Sequence, residues 1–264
     1  LAVDESGNVY AAGQWVRKFT NTGQLITRWK SGRSGVRFYD PHDIAVDRLG
    51  HVFVADVNSI EKYTTDGTYV RSFDGFGTGE WQVVNPGPMA VDEFGNVYVA
   101  AYQRIQKFTN DGAFLLDWVP VGVTGKPISL FCLSTSLSGG VYAASYPPVD
   151  GIQINSLEGA ALGYWGSEGT KAGQFFEPVD VAIDDANNIY VVDSGNERIQ
   201  KFDASGVYIT QWGTHGSEDR EFNGPQGIGI DAAGLVYVAD GGNHRMQKFT
   251  ADGAFITKWN IPNF

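Results

Sequence analysis

The chain has 264 residues, and its 19 Lys and Arg stand against 30 Asp and Glu, giving a net charge of -11. That balance argues against a nucleic-acid surface, because affinity for phosphates comes largely from Lys and Arg displacing counterions. The one cysteine, Cys132, leaves no intrachain disulfide to form, and no stretch reads as a membrane-spanning helix or a signal peptide.

From the N-terminus onward, one pattern recurs. Copy one (1–43) opens on a short apolar run ending in an acid, Leu1 to Asp4, then the turn Glu5-Ser6-Gly7-Asn8 and a strand carrying Tyr10. After a second turn, Asn21-Thr22-Gly23, it closes on Trp29. Copy two (44–88) repeats the order with Ile44 to Asp47, Phe53, Thr65-Asp66-Gly67 and Phe73. Copy three (89–129) does so with Met89 to Asp92, Tyr98, Asn110-Asp111-Gly112 and Trp118. Copy four (130–180) departs: Phe131-Cys132-Leu133-Ser134 lacks the closing acid, although Tyr142 and Trp165 keep step. Copies five (181–227) and six (228–264) return to the pattern with Val181 to Asp184, Tyr190 and Trp212, and with Ile228 to Asp231, Tyr237 and Trp259.

The first aromatic marker recurs every 43 to 48 residues, and each copy reads as four short strands joined by Gly-bearing turns. Such a period filled with strands, with no run of helical periodicity, predicts an all-β fold. The expected architecture is a six-bladed β-propeller of four antiparallel strands per blade, a single domain over 1–264. The segments from Val191 to Phe202 and from Val238 to Phe249, with Asn196-Glu197-Arg198 and Asn243-His244-Arg245, resemble NHL repeats, named for an Asn-His-Leu signature. The resemblance extends over all six copies and implies the same six-bladed fold. It is weakest in copy four, where Pro147-Pro148-Val149-Asp150-Gly151 stands in place of the Asn-x-Arg loop.

Residues that follow the repeat are read as serving it. Asp4, Asp47, Asp92, Asp184 and Asp231 each precede a turn by the same spacing, which suits acceptance of backbone N–H groups rather than a carboxylate ring for a cation. Asp56, Asp193 and Asp240, with Arg198 and Arg245, read as an ion-pair scaffold. The Trp29 series reads as packing between sheets, and Cys132 as a small buried hydrophobe. The chain ends fall in one register, so no blade is expected to be shared between the termini. The seam between copies one and six should then be the first to open, with Leu1 and Phe264 neighbours on the loop face.

Function is expected on the face made by the long linking loops, which are more variable than the hairpins opposite. Their last residues, His42, Asp43, Asp180 and Gln226, should ring the mouth of the central channel. Arg37, Tyr39 and Trp81 break the repeat on the same loops, and Arg and aromatic side chains are enriched at interfaces. The favoured function is a non-catalytic module binding a protein, peptide or glycan, with no cofactor. It is expected to act as a monomer or as part of a longer chain, in an extracytoplasmic setting, without nucleic acid and without membrane insertion. The alternative implied by the resemblance is a lyase of the streptogramin-lyase or amidating-lyase kind. There His42 would act as base beside Ca2+ or another divalent cation held by Asp43 and Asp180. Those relatives use histidines from several blades, and this chain offers only His42 at the mouth positions. Mouth acids in so acidic a chain are expected to be solvated.

Overall fold

A computed structural model describes residues 1–57, 59–74, 86–101, 104–121, 128, 130–145 and 151–261. Among these, twenty-four strands form six antiparallel sheets of four, each sheet built from consecutive strands. The blades follow one another around a ring in sequence order, with first strands packed side by side along a central channel. Helix is confined to the short turns Ser194–Asn196 and Gly241–Asn243, and no helix among the described residues is long and apolar enough to cross a membrane.

The second strand of each blade is apolar on both faces because a sheet lies on either side of it. Val97, Tyr98 and Val99 are buried, as are Ile189 through Val192 and Val236 through Ala239. The markers noted in the sequence make the seams. Trp29 packs against Tyr63 of the next blade with ring centroids 5.7 Å apart, and Trp212 against Phe249 at 5.8 Å. Under each of these large rings lies a turn glycine of the following blade. Gly67 has φ +90°, and a Cβ there would come within 2.7 Å of the Trp29 ring. Only glycine meets both conditions.

A buried or half-buried lysine on the third strand adds a latch. Lys18, Lys62, Lys107 and Lys201 each donate to a turn carbonyl of the next blade, Thr65, Asn110, Leu157 and Ala251, at 3.1–3.2 Å.

The same set closes the ring. No blade is shared between the chain ends, as expected, but the seam between blades six and one carries every latch of the interior seams. Lys248 donates to the Asn21 carbonyl at 3.2 Å, and Trp259 covers Gly23. The expectation that this seam is the weakest is therefore not supported by its contacts. Blade four is the exception, because Ile154 stands where the other blades present Lys, and Asn155 where they present an aromatic ring. The expected proximity of Leu1 and Phe264 lies outside the described residues.

Candidate functional site

Three first strands begin one to three residues earlier than the sequence suggested, at Asp43, Pro178 and Pro225, so Asp43, Asp180 and Gln226 belong to strands while His42 stays at a loop end. Four positions before each turn residue, the strands present Asp43, Pro88, Cys132, Asp180 and Gly227 at one level of the channel. Cys132 joins this ring because Ser136, and not Ser134, takes the place of the turn acid in blade four: the Gly140 N–H donates to Ser136 Oγ at 3.0 Å, and Tyr142 pairs with Ser134. The sequence reading had slipped by two residues, since Phe131-Cys132-Leu133-Ser134 is as apolar as the true register.

Asp43 and Asp180 sit in blades two and five, opposite each other across the ring. Each is half-buried and clamps two blades. Asp43 Oδ1 accepts from the Ile44 N–H at 2.7 Å, and Oδ2 from Met89 of blade three at 2.7 Å. Asp180 repeats the geometry with Val181 at 2.9 Å and Ile228 of blade six at 2.8 Å. The Val181 N–H likewise lies against the Cys132 sulfur. Both carboxylates are hydrogen-bonded to backbone N–H groups where they face the mouth. Burial pushes Asp180 up to about 7, against the pull of the Ile228 N–H, and the Asp43 charge adds to the rise. Burial likewise raises Asp43, and it holds the Cys132 thiol well above the usual range, with the Asp180 charge contributing. Together with His42, Pro88 and Gln226, these groups line a mouth cavity of about 300 Å³.

Outside this ring the linking loops are pinned by acids ending the second strands. Asp56 accepts from the Tyr39 and Asp40 N–H groups at 3.2 and 2.8 Å, Asp193 from Phe176 at 2.7 Å, and Asp240 from Asn223 at 2.8 Å. Directly before each pinned residue a buried ring, Phe38, Phe175 or Phe222, anchors the loop to the core. Each loop thus alternates one ring in and one residue out. Tyr39 is 88 % exposed and Phe176 43 %, on opposite sides of the mouth. In blades five and six the pin is locked by arginine: Arg198 Nε donates to Asp193 at 2.7 Å, and Arg245 to Asp240 at 2.7 Å. These ion pairs lie within blades five and six and not between blades, and the element they hold is the linking loop.

His42 and Gln226 are exposed at the rim, His42 lying 3.9 Å from Asp40. Arg37 donates to Gln14 at 2.8 Å, further out on blade one. Trp81, Pro147 and Pro148 lie outside the described residues.

At the opposite mouth the repeated acids make turns. Asp92 Oδ1 accepts from the Phe94 and Asn96 N–H groups at 3.0 and 2.8 Å, while Oδ2 takes Asn96 Nδ2 at 2.9 Å and the Tyr98 hydroxyl at 2.9 Å. Burial, then Asp92, pushes the Tyr98 pKa up. In blade two, His51 Nδ1 replaces the asparagine amide against Asp47 at 2.9 Å. Arg48 reaches from blade two to Glu5 at 3.4 Å and to Asp185 of blade five at 2.6 Å, a bar across this mouth.

A family model for the NHL repeat matches residues 38–59, 175–202 and 222–249, the three segments that run from a buried loop phenylalanine through a pinning aspartate. The chain carries NHL repeats. Its propeller is similar in fold to a protein of unknown function from Bacteroides caccae, with 12% identity over 96% of this chain and 92% of that one and a TM-score of 0.68. It is also similar to virginiamycin B lyase from Staphylococcus aureus, at 14% identity over 99% and 83% with a TM-score of 0.66. A streptogramin B lyase matches at 13% identity over 100% and 82% with a TM-score of 0.65. No curated protein matches the chain by sequence.

The mouth acids of this NHL propeller are engaged with the backbone. All four carboxylate oxygens of Asp43 and Asp180 already accept a backbone N–H, and among the described residues no group of three His, Cys, Asp or Glu side chains converges closely enough to hold a metal ion. The rim offers aromatic and amide groups around a polar floor.

Proposed function

We propose that this NHL propeller is a non-catalytic binding module that takes a protein, peptide or glycan ligand on its linking-loop face, around the channel mouth. The observation that carries this reading is the rim itself. Tyr39 and Phe176 are held outward on opposite sides of the mouth by backbone pins to buried or half-buried aspartates, so their exposure is built into the loops. Aromatic side chains carried on a pinned backbone bind at reduced entropic cost. Gln226, His42 and the mouth cavity supply hydrogen-bonding groups beside them.

The test is selection of ligands for the wild-type protein from a displayed-peptide library and a glycan array. Binding is then remeasured with Tyr39→Ser and Gln226→Ala. Losses of about tenfold or more are expected for both, since each removes a central contact worth over 1 kcal/mol. Selected ligands indifferent to both changes would overturn the reading.

The lyase reading draws on the likeness to the two lyases and on His42. At such identities the likeness speaks for the fold alone, and fold does not carry activity. It is tested by incubation with quinupristin, the compound present with a catalytically inactive virginiamycin B lyase. With and without Ca2+, no product should appear on chromatography, and a product would replace the binding reading.

A further inference from the structure

The average charge of this chain conceals a sector of opposite sign. Residues 6–39 contain Arg17, Lys18, Arg28, Lys30, Arg33 and Arg37 and not one of the 30 acids, so the rest of the chain is more acidic than its mean. Lys18 is spent on the seam with blade two. Arg28, Lys30 and Arg37 are exposed, and Arg17 lies directly opposite Arg28 across the third and fourth strands of blade one. Like charges placed opposite one another destabilise a sheet locally. Neither is relieved, since among the described residues Arg17, Arg28, Lys30 and Arg37 meet no carboxylate at ion-pair distance. Arg48, Arg71, Arg104, Arg198 and Arg245 all do.

Aromatic groups interleave with these charges. The Arg28 guanidinium lies 5.1 Å from the centre of the half-buried Trp15 ring, and Tyr39 and Val36 stand exposed on the adjoining loop. That loop is fixed from beneath. Buried Glu61 accepts from the Ser31 hydroxyl at 2.5 Å and from the Gly32 N–H at 3.0 Å, and Asp56 holds Tyr39 and Asp40. Two carboxylates therefore hold the loop's backbone while Lys30, Arg37 and Tyr39 are displayed from it.

We propose that this sector, the outer edge of blade one with the loop over 30–39, is a docking surface for a short acidic segment of a partner protein. The inference rests on the loop face being the binding face and names the chemistry of one partner there. Arginine predominates, and its planar fork pairs with carboxylates two bonds at a time while Trp15 and Tyr39 offer apolar contact. A long uniform polyanion fits less well, because beyond this sector it would run onto an acidic surface that repels it.

The probe is a short fluorescein-labelled peptide rich in Glu and Tyr, titrated against the whole protein by anisotropy. Saturable binding that weakens with added salt is expected. The triple change Arg28→Glu, Lys30→Glu, Arg37→Glu should reduce affinity about tenfold or more, given three exposed ion pairs reversed. Lys171→Glu, on a different linking loop, should leave it unchanged, and thermal unfolding of each variant checks that the fold persists. No saturable binding, equal binding by the triple variant, or tighter binding of an oligo-dT or a heparin oligosaccharide at this sector would each overturn the proposal. If Tyr39→Ser and Gln226→Ala still abolish binding of library-selected ligands, the loop-face reading survives that failure.

Discussion

Arg198 ties its own strand to the linking loop, and removing it tests whether the pins hold the rim. Its guanidinium donates to Asp193 Oδ2 at 2.7 Å, to the carbonyls of Thr170, Lys171 and Gln174 at 2.8–2.9 Å, and to Gln211 Oε1 at 3.1 Å. Asp193 has no exposed surface. Arg198→Met keeps the aliphatic bulk and leaves that carboxylate without its cation. Breaking one partner of a buried pair costs about 3–5 kcal/mol. The lower end applies here, because Asn196, Gln200 and the Phe176 N–H still donate to Asp193, and the freed loop carbonyls can turn to water. In a domain of this size each kcal/mol lowers Tm by roughly 2–4 °C, so calorimetry should show a fall of about 6–12 °C. Arg198→Lys should recover only part of it, since a point charge cannot serve five acceptors. Adding Asp193→Asn to Arg198→Met should recover more than half, because the uncompensated charge is then gone. A fall under about 2 °C for Arg198→Met would refute the claim that the buried charge pair locks the loop.

Asp180 makes stability depend on pH in a definite direction. With its folded-state pKa raised to about 7, the folded protein holds a proton between about pH 4 and 7 that the unfolded chain has released, so this group's contribution falls as pH rises through that window. Urea midpoints of Asp180→Asn measured against wild type at pH 5 and pH 8 should therefore move in the variant's favour at the higher pH; a constant difference would contradict it. Gly67→Ala should cost about 2–4 kcal/mol from left-handed strain and collision with Trp29, as read by chemical denaturation, whereas Gly50→Ala, also at positive φ but meeting no atom within 4 Å, should cost the strain alone. In hydrogen exchange, blade four should lose protection before the seam of blades six and one, because Ile154 and Asn155 replace its lysine latch and aromatic ring. Earlier exchange at β-strand residues Ala2–Val3 and Phe255–Asn260 would reverse that order.

Repetition made the fold legible. A blade cannot bury its own faces, so the copies repeat the rings, lysine and turn glycine that meet their neighbours, blade four alone lacking the lysine and one ring, and periodic residues such as Tyr98, Trp212 and Asp92 could be assigned to the repeat from spacing alone. The same logic picked out His42, Asp43, Asp180 and Gln226 as mouth residues, since each precedes an inner strand. What spacing could not supply was the partner of each group. Asp43 and Asp180 bond to Met89 and Ile228, some 46 and 48 residues away, and only closure of the ring brings those N–H groups to them. Cys132 entered the channel ring through a register set by pairing with Ala144, which no local pattern in an apolar run can specify. The basic sector of blade one was present in the order of residues. Its meaning depended on the tertiary structure, which places the chain's acids elsewhere and leaves Arg17 and Arg28 side by side.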